Sequence, residues 1–238
     1  MRRDDDSEWK EIINNYFERF ILFFFPHIYS DINWSRRYRF LDKELEKLIK
    51  ENSVGKRFVD KLVEVYLKDD RATWLLIHIE VQGGKEPDFA KRMYVYNYRI
   101  FDRYEQEVIS LAILTDPDQK YRPNRWKSER WGFENFFKFP LIKIIDYEKN
   151  WGQLEKDDNP FSIVVMAQIK AVKLKNPDDL FSWKMRFIRM LYNRGYQRRE
   201  ILNLFRFIDW IMILPDELEK KLIKEICDYE EEIKMPYV

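Results

Sequence analysis

Nine consecutive residues, Trp74-Leu75-Leu76-Ile77-His78-Ile79-Glu80-Val81-Gln82, constrain the fold of this chain more than any other stretch. They are rich in strand formers and lie between a polar run, Lys68-Asp69-Asp70-Arg71, and the pair Gly83-Gly84, so they read as a β-strand. Side chains alternate across a strand. Leu75, Ile77, Ile79 and Val81 therefore share one face, and Leu76, His78, Glu80 and Gln82 share the other. An acid inside such a run is costly to bury without a partner. Either the strand is an edge with one solvated face, which is the ordinary case, or Glu80 is held there for its chemistry.

The segment before it bears on that choice. Phe58-Val59 and Leu62 to Leu67 read as a second strand with Asp60 at its start. If the two strands are antiparallel neighbours, the start of one lies beside the end of the other, and the 20-residue offset brings Asp60 and Glu80 together. Adjacent carboxylates repel unless a cation bridges them. A magnesium ion there would polarise a phosphate and activate water. Asp60 paired with Lys61 or Arg57, as a plain strand-start residue, is the alternative reading.

Around these strands the period is helical. Apolar residues from Trp9 to Ile21 predict a helix over residues 8–24, ended by Pro26, and a second follows over about 41–51. Pro87-Asp88 opens another, to about residue 102, with Asp88 as N-cap. Val108 to Leu114 is a further strand, 116–131 reads as a polar loop, and 133–145 holds one more strand. From about residue 150 only helical periods appear, with starts at Asn159-Pro160, Asn176-Pro177-Asp178, about 197 and Pro215. The fold class is thus α/β: a core over residues 1–150 and a helical C-terminal region over 151–238, packed on the core.

Charge and composition narrow the function classes. With 43 basic against 42 acidic residues the net charge is +1, which excludes a globally basic nucleic-acid binder but not a local patch. A single cysteine, Cys227, read as a packing residue, excludes an internal disulfide framework and a multi-cysteine zinc site. With only two histidines, any metal would have oxygen ligands, which favours Mg²⁺ or Mn²⁺. The N-terminus lacks the pattern of a secretory signal. The densest apolar run, Phe20 to Phe25, falls far short of the roughly twenty residues of a membrane span. A cytoplasmic protein with no membrane partner is expected, and a homo-oligomer stays open.

Two places suit phosphate contact. Arg92, Tyr96 and Arg99 recur at helical spacing after the second strand, as a phosphate grip or as an ordinary amphipathic face. Lys120 to Trp131 has five basic residues against one acid, interleaved with aromatics. Arg122, Arg125 and Lys127 are its candidate DNA contacts, and plain solvated surface is the other reading.

An acid at a strand start, an acid-x-Gln at the end of the next strand and flanking helices together resemble the PD-(D/E)XK nuclease superfamily. The strings Phe40-Leu41-Asp42-Lys43-Glu44-Leu45, Asp60-Lys61-Leu62-Val63, Leu76 to Gln82, Phe89 to Tyr96, Asn159-Pro160-Phe161 and Phe207-Ile208-Asp209-Trp210 are similar to its recombination-promoting nuclease branch, related to transposase-31 proteins. The resemblance implies a mixed β-sheet flanked by helices. It implies a Mg²⁺- or Mn²⁺-dependent endonuclease acting on DNA in recombination or mobile-element biology. It makes Asp60 and Glu80 metal-binding carboxylates with the Val81 carbonyl as third ligand, puts Gln82 in the position of the superfamily's lysine, and sets Glu44 as the helix acid nearest the site. A neutral amide can position water but supplies no charge. A catalytically weak or inactive module that binds DNA or a protein on the same fold is therefore the rival expectation.

Overall fold

Five strands form one mixed sheet: β1 (Arg39–Phe40), β2 (Val59–Tyr66), β3 (Ala72–Glu80), β4 (Val108–Leu114) and β7 (Leu141–Lys143), in the order β1-β2-β3-β4-β7. A separate hairpin, β5 (Arg125–Arg130) with β6 (Phe133–Lys138), precedes β7. The computed structural model describes residues 7–50, 59–69, 72–80 and 86–234; of residues 7, 48–50, 59–60 and 76–80 it describes the backbone. The described chain divides into two units: Met1–Lys10 with Phe20–Lys143, and Glu11–Arg19 with Ile144–Val238.

In the α/β unit, β1, β2 and β3 run antiparallel, as the short polar turn between β2 and β3 requires. β3, β4 and β7 run parallel. Parallel neighbours need a crossover, and α4 (Phe89–Tyr104) supplies it between β3 and β4. Helices α1 (Ser7–Phe24), α2 (Pro26–Asp31) and α3 (Asp42–Lys50) precede β2. Pro26 does not simply end α1: it occupies the first turn of α2, where its missing N–H costs nothing.

Strand β3 is the middle strand of the sheet, not an edge. Asp60 stands opposite His78, and Val59 opposite Ile79. Ladder partners share a face, so Asp60, Leu62 and Glu64 lie on the same face as Trp74, Leu76, His78 and Glu80, and Val108, Ala112 and Leu114 continue it into β4. Helices cover that face. Leu41, Leu45 and Ile100 bury Leu62, Trp74 and Val108. Further along, Phe89, Ala90 and Met93 of α4 bury Ala112 and Leu114 together with Phe139. On the other face Val63, Val65, Leu75, Leu111 and Ile113 are buried as well. Strand β3 is therefore not the edge strand that the plain reading of its polar residues supposes.

The expected loop over 116–131 is corrected: its second half is strand β5, and 133–145 holds two strands, β6 and β7, where one was expected. The turn between β5 and β6 is Trp131-Gly132, with φ of 53° and 84°. Two positive φ values are what a type I′ hairpin turn demands. Asn-Gly usually signals such a turn, and Trp-Gly hides it.

The second unit is helical apart from connections: a 3-10 helix (Ile144–Asn150), α5 (Trp151–Leu154), α6 (Pro160–Lys173), α7 (Pro177–Asn193), α8 (Arg198–Ile211) and α9 (Asp216–Ile233), with the middle of α1. Two of the expected helix starts are capped by their asparagines: Asn159 accepts from the Phe161 N–H at 3.0 Å and Asn176 from the Asp178 N–H at 2.8 Å, whereas Asp88, the expected N-cap of α4, holds that position without a side-chain capping hydrogen bond. Every residue of α6 from Pro160 to Ile169 is buried, which marks it as the central helix of the unit. Cys227 on α9 is exposed, so it is not the packing residue expected from sequence.

Candidate active site

The backbone register brings the two candidate metal ligands to adjacent strands. Asp60 faces His78, so Glu80 is its diagonal neighbour, at a typical separation of about 7–8 Å between Cα atoms on a shared face. That spacing and the all-oxygen donor set suit a hard divalent cation. The side chains of Asp60 and Glu80, and the whole of Val81 and Gln82, lie outside the described residues. Among the described residues no group of three or more His, Cys, Asp or Glu could hold a metal ion.

Glu44 sits in the first turn of α3, half-buried, on a helix whose Leu45 packs against the face that Asp60 and Glu80 share. Asp42, at the start of the same helix, forms an ion pair with Lys61, whose ammonium also lies 4.6 Å from the centroid of the Phe40 ring. Burial pushes the Lys61 ammonium below its ordinary 10.5, and the bond to Asp42 opposes that shift. Lys61 thus gives its charge to Asp42 rather than serving only as a neighbour for Asp60.

A second polar group, which the sequence reading missed, stands at the carboxyl ends of the parallel strands. Glu80 is in register with Leu114, and Leu114 with Lys143, so Lys143 is two strands from Glu80, about 10 Å away. The Lys143 side chain is 0% exposed and its ion-pair partner Asp116 only 3%. Lys143 also donates to the Tyr121 carbonyl at 3.3 Å and lies 5.5 Å from the centroid of the Tyr121 ring. The Tyr121 hydroxyl donates to the Glu86 carbonyl at 3.0 Å and accepts from the Glu86 N–H at 3.1 Å. The Glu86 carboxylate pairs with Arg92 of α4. One polar network thus runs from β7 to α4 along the edge where open α/β sheets bind their ligands. Its signal in the sequence is faint: an acid just after an apolar strand, and a lysine inside Leu141-Ile142-Lys143-Ile144-Ile145.

The expected DNA-contact residues separate into different environments. Arg92 is bound to Glu86, and Tyr96 packs against the cluster of Leu41, Leu62 and Trp74, so neither projects as a bare phosphate grip. Arg122 donates from Nε to the Gln119 carbonyl at 3.1 Å. Lys127 bridges Glu129 at 2.8 Å and Glu134 at 3.1 Å, and these carboxylates, Glu129 first, raise its pKa. Arg125 is exposed at the start of β5, in register with Lys138. Trp126 is not a free stacking surface: it stacks on Tyr94 of α4 with centroids 4.5 Å apart, and the Asn135 amide donates to the Tyr94 hydroxyl at 2.8 Å. The exposed aromatics of the hairpin are Trp131, 95% exposed at the turn, with Phe133 and Phe136 on β6. The Arg130 guanidinium lies 5.4 Å from the Trp131 ring centroid.

Compared with protein-family models, with curated proteins and with solved structures, the chain finds no match. Among the described residues no helix is long and apolar enough to cross a membrane.

Proposed function

We propose that the α/β unit is a divalent-metal-dependent DNA endonuclease of the PD-(D/E)XK type, of the kind that serves recombination or mobile elements. One observation carries the reading: the register that sets Asp60 opposite His78 and diagonal to Glu80, on the helix-covered face of a central strand. An acid within an apolar strand is costly to bury without a partner, and a bridging cation would supply one. Asp60, Glu80 and the Val81 carbonyl would hold Mg²⁺ or Mn²⁺, which when bound polarises the phosphodiester and lowers the pKa of water. The chain's own residues do the rest. The Gln82 amide orients the attacking water. Glu44 lies on the helix that covers the site's face. Arg125, Arg130 and Lys138 on the hairpin draw the phosphates in, and the exposed Trp131 ring offers a base a stacking surface.

The test is supercoiled plasmid incubated with Mg²⁺, with and without EDTA. Wild type should nick it only with the metal, while Asp60→Ala and Glu80→Ala, folded by circular dichroism, should not. Cleavage that survives in both variants would refute the site.

A second reading has its own support. Gln82 supplies no cation, and the two buried lysines among the described residues of the unit, Lys61 and Lys143, are both ion-paired with carboxylates. A binding module with little or no hydrolytic activity would need no cation at the metal. DNA bound with equal affinity in Mg²⁺ and in EDTA, without nicking, would favour it.

A further inference from the structure

In the helical unit, α8 and the middle of α1 border a groove of about 660 Å³. Its volume lies within the range of ordinary ligand sites. Arg198, Arg199 and Arg206 line it from α8, and Asn14 and Asn15 line it from α1. Asn203 lies between the arginines, and Glu11 is the one acid in the wall. Three guanidiniums and one carboxylate thus stand in the wall.

The pattern on α8 places Arg199 and Arg206 on its exposed side. Ile201, Leu204, Phe207 and Ile208 are buried and hold the helix in its unit. Arg199, Asn203 and Arg206 recur at spacings of four and three on another stripe, which lines the groove. Arg198 and Arg199 also stand in the first turn, where the helix dipole is already positive and a cation is disfavoured. The dipole and the guanidiniums therefore add to one positive field. Opposite them α1 leaves helical geometry at Tyr16 (φ −135°, ψ 37°), beside Asn14 and Asn15. Burial raises the Tyr16 pKa, against the opposing effect of Asn203.

We propose that this groove binds a nucleic-acid strand through its phosphates. Arg199 and Arg206 are two helical turns apart, about 10 Å along the axis. Cations set in a row match a row of phosphates, whereas a single anion is met by groups that converge on it. Guanidiniums grip phosphate oxygens in bidentate fashion, and the carboxamides of Asn14, Asn15 and Asn203 offer both donors and acceptors to sugar or base edges. The site belongs to the helical unit and does not require the α/β unit to cut DNA.

The experiment measures binding of a fluorescent single-stranded 20-mer to the full chain by anisotropy, in EDTA so that no cleavage intervenes, over a range of salt concentrations. The double variant Arg199→Ala/Arg206→Ala should bind at least tenfold more weakly. Its slope of log K against log salt should fall by about 1.4, the value for two single-strand phosphate contacts. Glu11→Gln should bind more tightly. The Arg199→Lys/Arg206→Lys pair should keep the slope and lose affinity, since lysine retains charge without the planar fork. Circular dichroism and the melting temperature show whether each variant is folded, and the lysine pair carries the test if the alanine pair is not. An unchanged affinity and slope in the folded variants would overturn the proposal. Displacement of the 20-mer by ATP or pyrophosphate at concentrations comparable to the oligonucleotide's would overturn the strand in favour of a free polyphosphate. Equal competition by poly-glutamate would overturn it in favour of an acidic protein.

Discussion

Replacing Lys143 with methionine gives the sharpest test of the network at the carboxyl edge of the sheet. The Lys143 side chain is 0% exposed and Asp116 is 3% exposed, so neither partner can turn to water when the other is lost. Removing one member of a buried ion pair costs about 3–5 kcal/mol, because the survivor stays charged and dry. Lys143→Met also abandons the Tyr121 carbonyl. For a chain of this size each kcal/mol moves the melting temperature by about 2–4 °C, so a fall of about 6–20 °C is expected in the transition of the α/β unit. Asp116→Leu should cost a similar amount, since it strands the ammonium instead. The double variant Lys143→Met/Asp116→Leu removes both charges, and replacing a whole buried pair with apolar groups ranges from neutral to stabilising by about 1–4 kcal/mol.

Urea denaturation of the four proteins, followed by tryptophan fluorescence, closes the cycle. The singles should be badly destabilised and the double close to wild type, which makes the coupling energy several kcal/mol. A single variant that costs under about 1 kcal/mol would mean that water reaches the pair, and the burial argument would fail. A double variant as unstable as either single would show that the pair does not act as a unit. The cycle also bears on function. If the stable double variant no longer nicks DNA, stability is not why the pair is retained.

Three further outcomes follow from single side chains. Trp131→Asn replaces a bulky residue at φ 53° with one that tolerates the left-handed region; it should stabilise the protein by about 1 kcal/mol, less about 0.5 kcal/mol for the lost contact with Arg130, while weakening DNA binding, and a variant that is less stable and binds as before would refute the role of the turn. For Lys61 the folded pKa lies below the unfolded value, so the unfolded state binds more protons between the two and wild-type stability should rise as pH climbs toward 10.5. Lys61→Met should lack that rise, and urea midpoints of both proteins near neutrality and at about pH 10 check it; parallel curves would mean that Asp42 cancels the burial. Arg125→Ala should lower the salt slope of DNA binding by about 1, whereas Lys127→Ala should leave it nearly unchanged because Glu129 and Glu134 already hold that ammonium; equal effects would show that the two ion pairs open on binding.

Much of the sheet was legible because its signals are local. Alternation marked β3, and it reappears as Ala72–Glu80; the run Val108–Leu114 matches β4 at both ends. Asn159 and Asn176 announced their helices because a carboxamide before a proline satisfies the first free N–H groups. What escaped depends on tertiary structure. Strand β5 alternates Trp126 and Ser128 against Lys127 and Glu129, and only the Tyr94 ring beneath Trp126 shows that this basic, aromatic stretch is half packed. Asp116 and Lys143 are 27 residues apart and meet because β4 and β7 are parallel neighbours, which no short-range pattern encodes. Glu86 and Tyr121 likewise meet across 35 residues. For the site itself, the shared face and the neighbouring strands of Asp60 and Glu80 could be read from period and offset, whereas the register that sets Asp60 opposite His78 comes from the structure.

The topology also explains why the candidate site residues gather at one end of this sheet. An antiparallel pair exposes the start of one strand beside the end of the next, which is how Asp60 comes near Glu80. A parallel pair brings like ends together, which is how Glu80, Leu114 and Lys143 form a row. Strand β3 is the one strand that belongs to both arrangements: antiparallel to β2 on one side and parallel to β4 on the other. Its carboxyl end is therefore the one place in the sheet where a strand start and other strand ends converge. Charges elsewhere on the same face answer to packing: Glu64 takes bonds from Arg39 at 3.0 Å and from the Trp74 indole at 3.3 Å. A substitution at Glu64 should then act through stability, and one at Glu80 through chemistry, although both lie on the same face.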